Sequence, residues 1–160
     1  MKRRLVVMRH AKSAWDTDAP DDHSRPLNKR GRRDAPRVAA ALSSLGWAPD
    51  RAISSTSERT RETWQRMAFR AVPVAFDARL YHAGIGAVQE VVAEVADDCG
   101  TLLLLGHNPG FSSVVGWLSG EPTGLTTANA ALLSTDAATW RGALQQSWTL
   151  HQVIRPRELA

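Results

Sequence analysis

Short apolar segments alternate with longer segments of helical spacing along most of this 160-residue chain, and this alternation restricts its fold more than any other feature. Apolar runs of four to eight residues are typical of strands, whereas helices need longer periodic segments. Strands that alternate with helices build parallel sheets covered by helices. We therefore predict an α/β sandwich with a mainly parallel sheet. The predicted strands are 5–8, 51–54, 72–76, 101–105, 130–134 and 147–154, and the predicted helices are 28–45, 58–69, 85–96 and 111–118.

The first predicted helix carries recognisable signals at both ends. Asn28 is suited to cap its N-terminus and Gly46 to end it. Pro36 lies inside this segment, where it would remove one helical hydrogen bond, so the helix is expected to begin or bend there. The last two predicted strands lie close together in the sequence and are candidates for a hairpin.

Length and composition indicate one globular domain spanning residues 1–160. Charge is unevenly distributed, because residues 1–70 contain 16 Lys and Arg against 8 Asp and Glu, whereas residues 71–160 contain 4 against 8. The basic excess is mostly arginine, which binds phosphate and carboxylate through two parallel hydrogen bonds. A solvated basic face is the simplest interpretation. No nucleic-acid-binding motif accompanies the arginines, so no specific nucleic-acid partner is expected.

The chain has no apolar run long enough to span a membrane, and the basic N-terminus is followed by too few apolar residues for a signal peptide. Cys99 is the only cysteine, which excludes an internal disulfide. These features predict a cytoplasmic protein without a membrane partner.

Three predicted strands end in residues suited to phosphate chemistry. Arg9 and His10 end the first strand, Ser54 and Ser55 end the second and lead to Arg59, and Gly106 and His107 end the strand at 101–105. Functional sites of parallel sheets gather at the carboxyl ends of their strands. If these strands are neighbours, two histidines and two arginines meet at one site.

This combination of side chains could transfer a phosphoryl group. Two arginines can hold phosphoryl oxygens and neutralise their charge, and a neutral imidazole can attack phosphorus to form a covalent intermediate. Neighbouring guanidinium charges should keep His10 neutral. A second, protonated histidine could donate a hydrogen bond to a phosphoryl oxygen. No pair of histidines has the spacing of metal ligands, so neither a metal nor a cofactor is expected.

Four segments resemble the histidine phosphatase superfamily, the phosphoglycerate mutase-like proteins, and the small bacterial phosphohistidine phosphatases of the SixA type look closest. The segments are LVVMRHAKS at 5–13, RPLNKRG at 25–31, SSTSERTRET at 54–63 and GHNPG at 106–110. They are similar to that family's Arg-His-Gly/Ala signature, its RPL segment, its SSPxxRAxQT segment and its second-histidine turn. They occur in the family's order and span nearly the whole chain.

The resemblance implies a three-layer, phosphoglycerate mutase-like sandwich and a phosphohistidine intermediate on His10. It also implies phosphate contacts from Arg9, Arg59 and His107. The third segment departs from the family pattern, which leaves open whether Arg59 or Arg61 is the second phosphate-binding arginine; spacing favours Arg59. No carboxylate follows the third strand or His107 where a general acid is expected. The residues expected to contribute to substrate binding are Ser13, Arg25 and His82. Arg25 either lines the pocket mouth or braces its loop. His82 is expected at the pocket rim, with a role as proton donor as the alternative.

The expected function is metal-independent hydrolysis of a phosphoryl group, with phosphohistidine on a protein as the leading substrate. An imidazole is a good leaving group and needs little help from a general acid. One alternative is a phosphatase for small phosphorylated metabolites or nucleotides, which would use the same residues. An alternative of another class is a non-catalytic module that binds phosphorylated partners or nucleic acid.

Overall fold

The computed structural model describes residues 1–159, in which six strands form one sheet. The strands are β1 (Lys2–Arg9), β2 (Arg51–Ser54), β3 (Val74–Phe76), β4 (Thr101–Gly106), β5 (Ala130–Asp136) and β6 (Thr149–Ile154). Their order across the sheet is β3-β2-β4-β1-β5-β6. Strands β3, β2, β4 and β1 run parallel, whereas β5 is antiparallel to both β1 and β6. The sheet is therefore mainly parallel, and its last two strands are the expected hairpin.

Five helices cover the sheet: α1 (Lys29–Ser44), α2 (Glu58–Met67), α3 (Ile85–Ala93), α4 (Gly110–Ser119) and α5 (Trp140–Ala143). Alternate side chains of a strand point to opposite faces. In β1, Leu5 and Val7 pack in the core formed with α3, α4 and α5, whereas Val6 and Met8 pack in the core formed with α1 and α2. The helices lie on both faces of the sheet, which confirms the predicted three-layer sandwich.

Helix α1 follows its sequence signals at both ends. The Asn28 side chain accepts a hydrogen bond from the Gly31 N–H at 2.9 Å, and Gly46 adopts a φ of 77° just beyond the helix. The helix does not begin at Pro36, since it extends from Lys29 past Pro36 to Ser44, and a bend at Pro36 stays a prediction. Pro36 lies on the exposed side, where solvent can hydrate the carbonyl that loses its helical partner.

Strand β3 is shorter than predicted, since it begins at Val74 rather than at position 72. The Val72 N–H donates to the Phe69 carbonyl at 3.2 Å, which keeps this part of the chain in a turn. β3 is an edge strand and pairs only with β2. In residues 1–159, no helix combines the length and the apolar character that crossing a membrane requires.

Candidate active site

Three neighbouring strands bring the predicted chemical residues together. β4 lies between β2 and β1, and the carboxyl ends of the three strands are in register. The His10 N–H donates to the Gly106 carbonyl at 3.0 Å, and the Ser55 N–H donates to the Leu105 carbonyl at 2.9 Å. The His10 and His107 rings consequently lie side by side, with centroids 5.3 Å apart.

The ring of His10 is oriented by its own segment. Nδ1 lies 2.7 Å from the Ala11 carbonyl oxygen, which can only accept, so Nδ1 carries the proton and Nε2 carries the free electron pair. His10 is buried, and this burial lowers its pKa to about 4. The positive charges of Arg59, Arg9 and Arg25 act in the same direction, against the opposite effect of the Ala11 carbonyl. His10 is therefore a neutral imidazole at neutral pH, with Nε2 available as a nucleophile.

The structure shows which of the two candidate arginines, Arg59 or Arg61, lies at the site. Arg59 is buried in the first turn of α2, where Nη2 donates to Asp22 Oδ2 at 3.0 Å and lies 3.4 Å from His107 Nδ1. Arg61 points outward, donates through Nε to the Thr56 carbonyl at 2.9 Å and stacks on the Phe76 ring at 4.1 Å. Of the two arginines, Arg59 is the one that the fold places at the site.

Three arginines around His10 retain unused hydrogen-bond donors. The Nε atoms of Arg9, Arg25 and Arg59 are buried and have no hydrogen-bond partner within residues 1–159. Burial and the charge of Arg59 lower the pKa of Arg9, which indicates how closely the guanidinium groups are crowded. Buried donors are normally paired, because leaving one unpaired costs about 1–3 kcal/mol. The same three guanidinium charges act on His10, so they would attract a tetrahedral oxyanion bound beside it.

His107 is held by two neighbours. Its Nδ1 faces the Arg59 guanidinium, which can only donate, so Nε2 carries the proton and donates to Ser55 Oγ at 2.8 Å. Burial lowers the pKa of His107 to about 3, and the effect is increased by His10 when His10 is protonated and by the charge of Arg59. The expectation of a protonated His107 is therefore wrong for the free site, because the surrounding charges are positive. A bound phosphate dianion would act in the opposite direction and favour protonation.

The loop between β1 and α1 closes one side of the site. Arg25 donates to Ser13 Oγ, to the Ala14 carbonyl at 3.3 Å and to Asp22 Oδ1 at 3.1 Å. Its guanidinium also stacks on the Trp15 ring at 3.7 Å, although Trp15 is 75% exposed. Arg25 therefore braces the loop and borders the site at the same time, and it holds Ser13 next to it.

Asp22 is a site residue that sequence reasoning missed. Its carboxylate accepts hydrogen bonds from Arg25, from Arg59 and from the Tyr81 hydroxyl, the last at 2.6 Å. The Tyr81 hydroxyl, followed by the two guanidinium groups, holds the pKa of Asp22 far below its usual range. Asp22 is thus ionised and cannot serve as a general acid at neutral pH. It occupies donors of Arg59 that a phosphate could use.

Tyr81 also reaches the site without having been predicted, through its contact with Asp22. Ser55 was expected at the end of the second strand, but its contact with His107 was not foreseen. No local pattern points to Asp22 and Tyr81, since they meet across 59 positions of sequence.

His82 lies beside the site and not within the arginine cluster. Its ring contacts the Tyr81 ring with centroids 4.0 Å apart, and its φ of 65° turns the chain sharply. Together with His107 and Asn108 it lines a cleft of about 390 Å³, and His10 is not among the residues that line this cleft. Within residues 1–159, no group of three or more His, Cys, Asp or Glu side chains is placed to hold a metal ion.

Comparison with known sequences places the chain in a family. A family model for the histidine phosphatase superfamily (branch 1) matches residues 5–106. An uncharacterized chloroplastic protein of Arabidopsis thaliana is 37% identical over 98% of this chain and 79% of its own length. An uncharacterized protein of Mycobacterium tuberculosis is 40% identical over 67% of this chain and 66% of its own length.

Solved structures show the same fold. A proposed phosphohistidine phosphatase SixA of Nakamurella multipartitia has a TM-score of 0.86 at 29% identity and covers 98% of this chain and 97% of its own. A proposed SixA of Agrobacterium tumefaciens has a TM-score of 0.82 at 26% identity, with 96% and 98% covered. A mycobacterial glucosyl-3-phosphoglycerate phosphatase shares the fold, with a TM-score of 0.73 at 17% identity and 94% and 98% covered. The family model matches most of the chain, including every strand end that forms the site, and its match ends one residue before His107. The chain therefore belongs to the histidine phosphatase superfamily (branch 1).

Proposed function

We propose that this protein is a phosphatase that transfers a phosphoryl group to Nε2 of His10 and then to water, and that its substrate is phosphohistidine on a protein. One observation carries the catalytic part of the proposal. His10 Nε2 carries a free electron pair, and the positive charges of Arg59, Arg9 and Arg25 all act on this ring. A nucleophile within a preformed oxyanion site is the arrangement that phosphoryl transfer requires.

The chemistry proceeds in two steps. In the first, Nε2 of His10 attacks phosphorus and a P–N bond forms, while the bond from phosphorus to the substrate imidazole breaks. The electron pair of the broken bond stays on that nitrogen, and the proton on the other ring nitrogen makes the departing imidazole neutral. Arg9, Arg59 and Arg25 hold the three peripheral oxygens, and Arg59 exchanges its contact with Asp22 for one with the phosphoryl group. In the second step water attacks the phosphorylated His10, the P–N bond breaks, and inorganic phosphate and neutral His10 result. The phosphate takes up the oxygen of water, and a water proton leaves to the solvent.

The fate of the leaving group favours phosphohistidine. Asp22 is ionised and cannot protonate a departing alkoxide, and the sequence supplies no other carboxylate beside His107. A departing imidazole requires less protonation than an alkoxide. The two SixA-type structures above 25% identity are in keeping with this substrate.

A protein substrate is supported by Trp15. Exposed tryptophans stacked on arginines are typical anchors of protein interfaces. Trp15 lies on Arg25, which itself borders the site, so a protein whose phosphohistidine enters the site would contact the indole. The proposal includes a cytoplasmic location, which is in keeping with the single cysteine Cys99.

A small phosphorylated metabolite is the second candidate. The cleft lined by His82, His107 and Asn108 has a volume of about 390 Å³, which is within the ~300–1,000 Å³ range of small-molecule sites. A metabolite would place its phosphate beside His10 and its remainder in this cleft.

Steady-state kinetics decide between the two. We expect kcat/KM for a phosphohistidine-containing protein to exceed the values for sugar phosphates and nucleotides by at least about a hundredfold, without added metal and unchanged by EDTA. The matched control is the Arg61→Ala enzyme, whose replaced arginine points away from the site and which should rank the substrates in the same order. A sugar phosphate or nucleotide at the top of this ranking would overturn the substrate assignment. No turnover of any phosphorylated compound would favour a binding module instead.

A further inference from the structure

A second strongly basic pocket lies outside the candidate active site. It has a volume of about 460 Å³ and is enclosed by α1, by the chain before β5 and by the chain after β6. Arg30, Arg33 and Arg37 are spaced on one face of α1, so their side chains project in the same direction. Arg155 and Arg157 approach from the segment that follows β6. Five arginines from two distant parts of the chain therefore converge.

The charge of this pocket is not neutralised by its own residues. Asp34 is the one carboxylate that lines it, and it pairs with Arg33 at 3.4 Å and with Arg37 at 3.3 Å. Arg155 donates only to neutral oxygens, those of the Gly124 carbonyl and the Asn129 side chain. Five arginines against one carboxylate leave an excess of four positive charges among the lining residues.

A buried amide adds a neutral donor. Asn129 is fully buried and lines the pocket. Its side-chain oxygen accepts from the Thr126 N–H at 2.9 Å, whereas its side-chain nitrogen has no hydrogen-bond partner within residues 1–159. A buried donor without a partner is costly unless a ligand or solvent takes its hydrogen. The hydroxyl of Thr127, which accepts from Arg30 at 3.4 Å, can donate its own hydrogen as well.

The pocket is separated from the candidate active site by the backbone of residues 128–129. The main-chain carbonyl of Asn129 accepts from the Arg9 N–H at 3.0 Å, and the Ala128 N–H donates to the His10 carbonyl at 2.9 Å. None of the three arginines with unused donors beside His10 is among the residues that line this pocket. Phosphoryl transfer at His10 therefore does not account for it.

We propose that this arginine pocket is a second anion site that binds a linked diphosphate group. A single phosphate carries about −1.5 to −2 charges and two linked phosphates about −3 at neutral pH, so a diphosphate offsets most of the excess, whereas one phosphate offsets at most half of it. Arginine pairs with phosphate through two parallel hydrogen bonds, and the cluster offers several such pairs from opposite walls. Among residues 1–159, Pro156 is the one ring-bearing residue that lines the pocket, and no aromatic side chain of this part of the chain lines it to stack on a base. The diphosphate group, and not an attached nucleoside, is the part that is recognised.

Calorimetric titration with inorganic pyrophosphate tests the site. Two sites are expected for the wild-type protein, one at His10 and one in the arginine pocket. Arg9→Ala removes the first site and isolates the second. Adding Arg155→Ala and Arg157→Ala to that variant should weaken the remaining binding about a hundredfold, since each charge-assisted contact contributes about tenfold or more. The matched control adds Arg70→Ala and Arg141→Ala, which remove two exposed arginines outside the pocket and should leave the affinity unchanged.

Other ligands distinguish a diphosphate site from a general anion site. Orthophosphate should bind the isolated site at least about tenfold more weakly than pyrophosphate, and ADP should bind no more tightly than pyrophosphate. Equal affinity for orthophosphate and pyrophosphate would overturn the proposal, as would tighter binding of a DNA duplex through the same arginines. If the combined variant fails to fold, Arg157→Ala alone replaces it, because Arg157 is exposed and removing its side chain disturbs little. If the wild-type protein showed binding in the pocket but none at His10, the result would count against the proposed function and leave this site intact.

Discussion

At the scale of single residues, the role of His10 gives the sharpest prediction. Replacing His10 with alanine removes the nitrogen that would accept the phosphoryl group, whereas the arginines can still bind it. We expect kcat to fall about 10⁴-fold or more, as for other covalent nucleophiles, with little change in the fold. Quench-flow experiments on the wild type should trap a phosphoenzyme that is labile in acid and stable in base, and His10→Ala should yield none. An acid-stable phosphoenzyme would show that another residue is the nucleophile.

The lowered pKa of His10 predicts an unusual pH profile. An imidazole with the ordinary pKa of about 6.5 would lose its nucleophilic form below neutral pH. With a pKa of about 4, His10 stays neutral as the pH falls to about 5, so kcat/KM should keep its value until the pH approaches 4. The measurement is kcat/KM for a phosphoryl substrate between pH 4 and 7, corrected for the separately measured ionisation of the substrate's own phosphate. An acid limb centred near 6.5 would contradict the assigned environment of His10.

Trp15 provides the residue-scale test of a protein substrate. Removing an exposed aromatic anchor of an interface typically costs about tenfold or more in affinity. Trp15→Ala should therefore lower kcat/KM for a phosphohistidine protein about tenfold and affect a small aryl phosphate at most about twofold. Trp117→Ala is the matched control, since Trp117 is also exposed but lies on α4. Equal losses on both substrates would argue against a docking role for Trp15.

Residues at strand ends could be foreseen, whereas residues that meet across loops could not. Arg9, His10 and His107 directly follow apolar runs, so their meeting requires only that β1 and β4 be neighbours. Asp22 and Tyr81 contact each other from two loops whose conformations no local pattern specifies. The protonation state of His107 was missed for a related reason, since it depends on how many positive groups surround the ring and how deeply it is buried.

At the scale of elements, α1 approaches the loop after β1 closely, and this explains why the last residue of the RPLNKRG segment, Gly31, is a glycine. A Cβ atom at position 31 would lie 2.1 Å from the Lys12 carbonyl oxygen, so the backbone would have to move. We expect Gly31→Ala to destabilise the protein by about 1–3 kcal/mol, the range of overpacked positions, and to lower activity by displacing the loop that carries Ser13. Urea unfolding gives the first quantity and steady-state kinetics the second.

The control for this prediction is another helical glycine. Gly86 lies exposed in the first turn of α3, and a Cβ atom there would meet nothing within 4 Å. Gly86→Ala should be neutral or stabilise the protein by up to about 1 kcal/mol, because alanine is the better helix former. Destabilisation of both variants to the same extent would show that the effect at position 31 is not steric.

The order of the strands in the sheet could not be predicted from the sequence, whereas the positions of most helices and strands could. Periodicity and caps located α1 and β2 closely because those signals are local. The antiparallel direction of β5 depends on the chain that connects it to β4 and on its pairing with β1, which are properties of the assembled sheet. The insertion of β4 between β1 and β2 is of the same kind, and it is what joins the two halves of the site.

At the scale of the whole molecule, the basic excess of residues 1–70 does not form a single solvated face. Part of it surrounds His10, where Arg9, Arg25 and Arg59 are packed together. Another part lies on α1 and faces Arg155, which belongs to the segment that follows β6. The fold thus divides the arginines between two concave regions, and in each of them repulsion between like charges favours a bound anion.

The buried histidines also make the stability of the whole protein depend on pH. His10 and His107 have pKa values of about 4 and about 3 in the folded protein, whereas an unfolded chain has the ordinary value of about 6.5. As the pH falls below 6.5, the unfolded chain binds protons that the folded protein does not, and stability declines until the folded pKa values are reached. Between pH 7 and pH 5 each histidine should cost about 2 kcal/mol of unfolding free energy.

Urea unfolding at pH 7 and pH 5 measures this loss directly. Asp22 does not contribute in that window, because a carboxylate with a depressed pKa loses its stabilising effect only when the pH falls below about 4. His10→Gln should therefore remove about half of the difference between the two pH values, whatever it does to absolute stability. His151→Gln, which replaces an exposed histidine, should retain the full difference. Equal stability of the wild-type protein at pH 7 and pH 5 would mean that the two site histidines titrate normally, and the neutral nucleophile inferred for His10 would lose its physical basis.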